Sequence, residues 1–260
     1  MTLIGRTRAR GVETLSLDSA DTRNALSAAL VGELADALTD CAKDTDVRAV
    51  VLTHTGNTFC AGADLRDPSP SSRLRSNRGG PHHPDALVQL LRQIVELRKP
   101  VVARVTGHVR AGGLGLLGAC DIAAASAESS FAFTEVRIGV APAVISLSVL
   151  PRTDPRAVAR YYLTGERFDA AEAARIGLLT VAGAAGEDID AVLEPVLDGL
   201  RRSSPQGLAE TKQLLTARVL EVFDRDAADL TALSARLFSS AQAREGMTAF
   251  LERRDPSWVM

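Results

Sequence analysis

The chain has 260 residues, 46% hydrophobic and 24% charged, which excludes a disordered protein and suffices for a core without disulfides or a structural metal. Thirty basic against 32 acidic side chains leave a formal charge of −2, too weak a field to hold a polyanion, so nucleic acid is not an expected partner. Glycine is plentiful, at 20 residues, and aromatics are only 4%.

In chain order, the N-terminal run with Arg6, Arg8 and Arg10 lacks the apolar segment of a signal peptide. Residues 14–17 read as the end of a strand. Residues 24–43 read as a helix, because Leu26, Ala29, Leu30, Leu34, Ala37, Leu38 and Cys41 recur at spacings of three and four. Residues 47–53 (VRAVVLT) form a short, β-branched buried strand. The longest uncharged stretch, residues 49–63, is too short and too polar to cross a bilayer, so no membrane association is expected. Residues 66–84, rich in Pro, Ser, Gly and Arg, read as a lid or a disordered excursion near a site. A helix over 86–97 and a strand over 101–106 follow. Strands alternating with helices imply crossover units and a largely parallel sheet.

The last hundred residues show helical spacing over 155–164, 169–176, 188–202, 205–222 and 224–240, with Pro155 and Pro205 at helix starts. This divides the chain into an α/β core, residues 1–185, and a helical region, residues 186–260. No internal repeat is visible. Cys41, Cys60 and Cys120 form no pairable framework, which fits a reducing cytoplasm.

Two glycine-rich turns stand out. Gly113, Gly115 and Gly118 match GxGxxG, with Glu135 further on, but the pattern starts well after the strand ends near Thr106 and is not in the first crossover. A dinucleotide cofactor is therefore not expected. The second turn, TGNTFCAGADL over residues 55–65, follows the buried strand 47–53. Ala61, Gly62 and Ala63 there let a ligand approach the backbone. Gly112 falls at the N-terminus of a helix over 113–119, where free amides favour negative charge. Paired backbone donors from the two turns would suit an enolate or a tetrahedral oxyanion; service in tight turns alone is the other reading.

Five ordered motifs resemble the crotonase, or enoyl-CoA hydratase/isomerase, superfamily over nearly the whole chain. They are RNALS (23–27), FCAGADL (59–65), KPVVARVTGHVRAGGLGLLGACDIA (99–123), FAFTEVRIGVAP (131–142) and YYLTGERFDAAEAARIGLL (161–179). The resemblance implies the α/β crotonase (ClpP-like) spiral of β-β-α repeats with a helical C-terminal trimerisation region, assembling as a homotrimer or dimer of trimers. It implies acyl-CoA thioester substrates, coenzyme A being part of the substrate and no separate cofactor or metal being needed. By position it makes Ala63 and Gly112 the amide donors to the thioester oxygen. Arg23, Ala25, Ala61, Asp64 and Leu65 would line the CoA groove.

Hydratases of that family hold water between two glutamates. The second matches Glu135; the first falls on Gly115, so the sequence departs from the pattern there. One carboxylate suffices for proton transfer at the α-carbon of a thioester, and an apolar pocket would tune it. Loss of a glutamate side chain at Gly115 would open room for a branched or carboxylated acyl chain, and FTEVRIGVAPAVIS (133–146) followed by YYLTGERF (161–168) resembles methylglutaconyl-CoA hydratases of leucine breakdown. The expected activity is hydration of a 2-enoyl-CoA. A 3-enoyl to 2-enoyl isomerase and a silent acyl-CoA binder are the alternatives.

Other candidates are weaker. His82 and His83 could supply a base or bind metal, though a solvated pair usually does neither. His108 and Arg110 flank the second turn and could orient water or a substrate carboxylate. Asp64 or Asp85 could replace the missing acid, but no spacing supports either. Cys60 reads as a small buried hydrophobe and Asp121 as a group ordering the chain at a strand start. Arg201, Arg202 and Lys212 could meet CoA phosphates across a subunit interface, as could Arg73, Arg75 and Arg78.

Overall fold

In a computed structural model of the chain, residues 2–64 and 86–260 are described. The N-terminus is a hairpin, β1 (Ile4–Ala9) against β2 (Val12–Leu17), turned by Arg10 and Gly11 with φ of 49° and 77°. Positive φ at both turn residues matches the twist of the flanking strands. Glu13, buried on β2, is held by Arg6 Nε at 3.0 Å and Arg8 Nε at 2.6 Å.

Helix α1 covers Ala28–Lys43, starting four residues later than its periodicity suggests. Ser27 caps it by accepting from Leu30 N, while Arg23 and Asn24 take left-handed φ of 56° and 54°. Those residues are tied to the site instead. The buried Asn24 amide donates to Thr55 O and Thr58 O and accepts from Ser19 N. Leu26 N donates to Gly62 O at 2.8 Å.

Three turns of strand, strand and helix follow: β3 (Ala49–His54), β4 (Thr58–Cys60) and α2 (Ala86–Glu96); β5 (Val101–Val105), β6 (His108–Arg110) and α3 (Gly112–Ala119); β7 (Ile122–Ala125), β8 (Ser130–Ala132) and the short α4 (Ser146–Val149). The first strand of each turn joins a six-stranded sheet that runs β1-β2-β3-β5-β7-β10, parallel from β2 onward, with β10 at Val181–Ala182. The second joins a smaller sheet, β4-β6-β8-β9, with β9 (Phe168–Asp169) antiparallel. The repeat is thus structural, although no sequence repeat marks it. Its second strands have three residues each, too few to show a period.

The remaining helices are α5 (Pro155–Thr164), α6 (Ala170–Arg175), α7 (Ile189–Arg202), α8 (Pro205–Phe238) and α9 (Ala241–Glu252). α8 is one helix of 34 residues where two were expected. Phe223, fully buried, falls between the two expected segments and packs there without a break. No helix among the described residues is long and apolar enough to cross a membrane.

Candidate active site

The C-terminal ends of β4, β6 and β8 lead into three segments that meet at one cavity: Ala61–Ala63, Ala111–Gly112 and Thr134–Glu135. Ligands in parallel sheets collect at this end of the strands, where loops diverge and helix N-termini face outward. The cavity holds about 1340 Å³ and is walled on the far side by α8 and α9.

The two glycine turns press against each other. A Cβ built on Gly62, whose φ is 90°, would stand 2.7 Å from Ala111 Cβ and 3.4 Å from Gly112 N. One built on Gly112 would stand 2.7 Å from Leu26 Cδ1. Only small residues permit this approach. Ala111 itself has φ of 46°, a strained value for a side-chain-bearing residue, and heads α3. Both Ala63 and Gly112 line the cavity, and neither amide has an acceptor among the described residues. Two unpaired donors at one cavity wall can stabilise charge that develops on a carbonyl oxygen.

Glu135 opens the short helix Glu135–Ile138 directly after β8 and is 8% exposed. Its Oε2 is buried without a hydrogen-bond partner, and burial pushes the carboxyl up to about 7. Val140, Ala141, Val144 and Ile145 make the neighbouring cavity wall apolar. Helix α9 fixes this segment: a Cβ on Gly246 would stand 2.5 Å from the Ile138 carbonyl carbon. A carboxyl near neutrality, dry and facing a cavity, can both give and take a proton.

Arg23, Ala25, Ala61 and Asp64 also line the cavity, while Leu65 and Asp85, with the candidates His82, His83, Arg73, Arg75 and Arg78 and the expected lid, lie outside the described residues. The site residues that the periodicity concealed are Asn24 and Leu26, which pin the donor loop. Their signal is the RNAL motif, not any spacing. Cys60 is fully buried, its thiol pushed up to about 12, as expected of a small hydrophobe.

Two expectations need correction. The room left by Gly115 is filled: a Cβ there would stand 2.6 Å from Ile145 Cγ2 and 3.4 Å from Leu91 Cδ1, and Gly115 does not line the cavity. Lys212 does not reach the cavity either. It is 4% exposed, and its Nζ is taken by Asp121 Oδ2 at 2.7 Å, Ile94 O at 2.8 Å and Lys99 O at 3.1 Å. An ammonium with three acceptors inside the protein has no donor left for a phosphate. Burial lowers Lys212 and raises Asp121, and their attraction opposes both shifts. Asp121 also accepts from Val101 N at 2.7 Å and so orders the chain at β7. Arg201 and Arg202 pair with Glu194 and Asp198 of their own helix.

A sequence model of the family described as enoyl-CoA hydratase/isomerase matches residues 7–260. A crystal structure of an enoyl-CoA hydratase from Mycobacterium avium superposes with a TM-score of 0.88 at 53% identity, covering 100% of both chains. An enoyl-CoA hydratase of Mycobacterium tuberculosis is 32% identical over 91% of this chain and 88% of its own. The mitochondrial methylglutaconyl-CoA hydratase of Mus musculus is 28% identical over 96% and 80%, which does not single out that subgroup.

Proposed function

The chain belongs to the enoyl-CoA hydratase/isomerase family, and on that premise we propose that it hydrates a 2-enoyl-CoA thioester with one carboxyl group. The observation that carries this reading is Glu135: a buried carboxyl raised to about 7, unpartnered, and lining the same cavity as two unpaired amides. The thioester oxygen accepts from Ala63 N and Gly112 N. Water oxygen bonds to the β-carbon as the C2–C3 π pair moves toward the carbonyl, giving an enolate held by the two amides. Protonated Glu135 then delivers its proton to the α-carbon, and its carboxylate takes the proton lost by the attacking water. Water has been added and Glu135 is restored.

A second reading is favoured by Ile145 and Leu91, which fill the space beside Gly115 and leave no second carboxylate there. Glu135 would take a proton from the α-carbon of a 3-enoyl thioester and return it to the γ-carbon. Turnover in heavy-oxygen water separates the two: label at the β-carbon supports hydration, and unlabelled 2-enoyl product from a 3-enoyl substrate refutes it. Glu135→Gln should lower kcat by about 10²–10⁴-fold. An unchanged rate in the variant would refute the role of Glu135, whereas tight thioester binding by the parent with no reaction on any enoyl-CoA would point to a silent binder. A branched acyl chain is not part of the proposal, because the room it required is occupied. Exposed Leu214 and Leu215 on α8 support self-association of the helical region, for which a homotrimer is the proposed form.

A further inference from the structure

Among the described residues, two buried side-chain atoms that line the cavity have no hydrogen-bond partner: Glu135 Oε2, used above, and Thr231 Oγ1 on α8. The other unpaired buried atoms, on Arg152, Glu166 and Arg201, belong to residues that do not line it. A threonine inside a helix has an acceptor at hand, the carbonyl four residues back. Thr39 donates to Ala35 O at 2.9 Å, Thr164 to Arg160 O at 2.8 Å and, on α8 itself, Thr216 to Lys212 O at 2.9 Å. Thr231 leaves that bond unmade. A hydroxyl shut off from solvent without a partner destabilises the fold, and a ligand oxygen that reaches it removes the cost.

The position of α8 decides which part of a thioester meets this hydroxyl. Phe223, Ala227, Thr231, Ser234 and Phe238 follow at spacings of four, four, three and four, so they share one face, and all five line the cavity. Phe223 belongs to the same buried cluster as Ile145 and Leu87, and these two line the cavity as well. Leu87 Cδ2 would stand 3.8 Å from a Cβ built on the amide donor Gly112. The α8 face therefore continues the apolar surface that begins at the amide donors and Glu135. Thr231 stands about 12 Å along the helix axis from Phe223.

Charge on this side opposes an anionic tail. Arg92 is held by Asp224 at 2.6 Å and Glu96 at 2.7 Å, and Asp224 itself lines the cavity. One cation against two anions leaves the α8 side negative. The remaining charged lining residues stand elsewhere: Arg137 on the Glu135–Ile138 helix, Arg253 at the end of α9, and Asp21, Arg23, Asp64, Arg110 and Arg167 on the side of the smaller sheet.

We propose that Thr231 is a specificity-determining residue that selects acyl chains carrying an uncharged oxygen, a hydroxyl or a carbonyl, part-way along an otherwise apolar tail. The threonine hydroxyl can donate or accept, so it pairs with either group. An all-carbon tail seated on the same face leaves Oγ1 unpaired and is held less tightly.

The inference rests on the acyl-CoA reading but not on which reaction follows, so unreactive saturated thioesters test it. Calorimetry compares octanoyl-CoA with its monohydroxylated forms, one for each carbon beyond the third, and with the thioester whose chain ends in a carboxylate. The proteins are the parent, Thr231→Val and Thr231→Ser: valine keeps the branched Cβ without the hydroxyl, and serine keeps the hydroxyl. One hydroxylated form should bind the parent about tenfold tighter than octanoyl-CoA. Thr231→Val should lose that advantage while holding octanoyl-CoA as tightly as the parent or tighter, and Thr231→Ser should keep most of it. A loss in Thr231→Val shared equally by all ligands would overturn the inference. So would a parent that binds no hydroxylated form better than octanoyl-CoA, or that prefers only the carboxylate-ended chain. A parent that binds none of these thioesters would bring down the acyl-CoA reading, and this inference with it.

Discussion

Gly115 offers the sharpest test of how the acyl end is packed. A Cβ at this position would sit 2.6 Å from Ile145 Cγ2, 3.0 Å from Ile145 Cβ and 3.4 Å from Leu91 Cδ1, all inside normal contact distance or at its limit. Overpacking of this kind costs about 1–3 kcal/mol. Replacing a helical glycine returns about 1 kcal/mol. A glutamate adds a buried polar head without an assigned partner, costing about 1–3 kcal/mol more. Gly115→Glu should therefore destabilise by about 1–5 kcal/mol, visible in thermal or urea unfolding. Ile145→Ala alone should cost about 2–5 kcal/mol through the cavity it leaves. The two changes occupy one space, so the double variant should be more stable than the sum of the singles by about 0.5–3 kcal/mol. Simple additivity, or a Gly115→Glu protein as stable as the parent, would refute the claim that Ile145 fills this position. The activity assay then follows: a gain in straight-chain hydration is expected only in the double variant.

Two further outcomes follow from buried charge. Glu135 ionises near 7 in the folded protein against an ordinary 4.5, so the folded state holds this proton to higher pH than the unfolded chain. Its contribution is full below about pH 4.5 and is lost as pH rises through about 7, a change of about 3 kcal/mol. Glu135→Gln should thus gain stability over the parent between pH 5 and 8 by up to about that amount, and a gap that does not vary with pH would contradict the burial. Lys212→Ala leaves Asp121 buried without its cation and should cost about 3–5 kcal/mol by chemical unfolding. Its CoA affinity, read by calorimetry, should stay within about twofold of the parent; a tenfold loss would restore the phosphate-binding role.

The fold was legible where periods are long and the motifs specific. β3, α1 and α2 announce themselves by burial pattern, and the family motifs place Ala63, Gly112 and Glu135 on one cavity. What escaped has physical reasons. The smaller sheet is built from strands of three residues, which hold less than two full alternations. The start of α1 was hidden because residues 24–27 keep an apolar spacing while Asn24 uses its side chain to pin the site. Gly115 misled in the opposite sense: an absent side chain reads as space, but close-packed interiors let a neighbour fill it.

That filling bears on how one carboxyl can serve. The principal cause of the raised Glu135 value is burial, not a like charge nearby. Its acidity is therefore set by whatever keeps water away: the apolar residues Val140, Val144 and Ile145, and α9 seated on the Glu135–Ile138 helix. An ionised glutamate at position 115 would have raised Glu135 through repulsion while drawing in water, two effects of opposite sign. An isoleucine in that space contributes neither a charge nor a hydration shell. The consequence is a single group whose protonated and ionised forms coexist near neutrality, as giving a proton at one atom and taking one at another requires. Apolar packing, more than any second acid, then sets where Glu135 titrates.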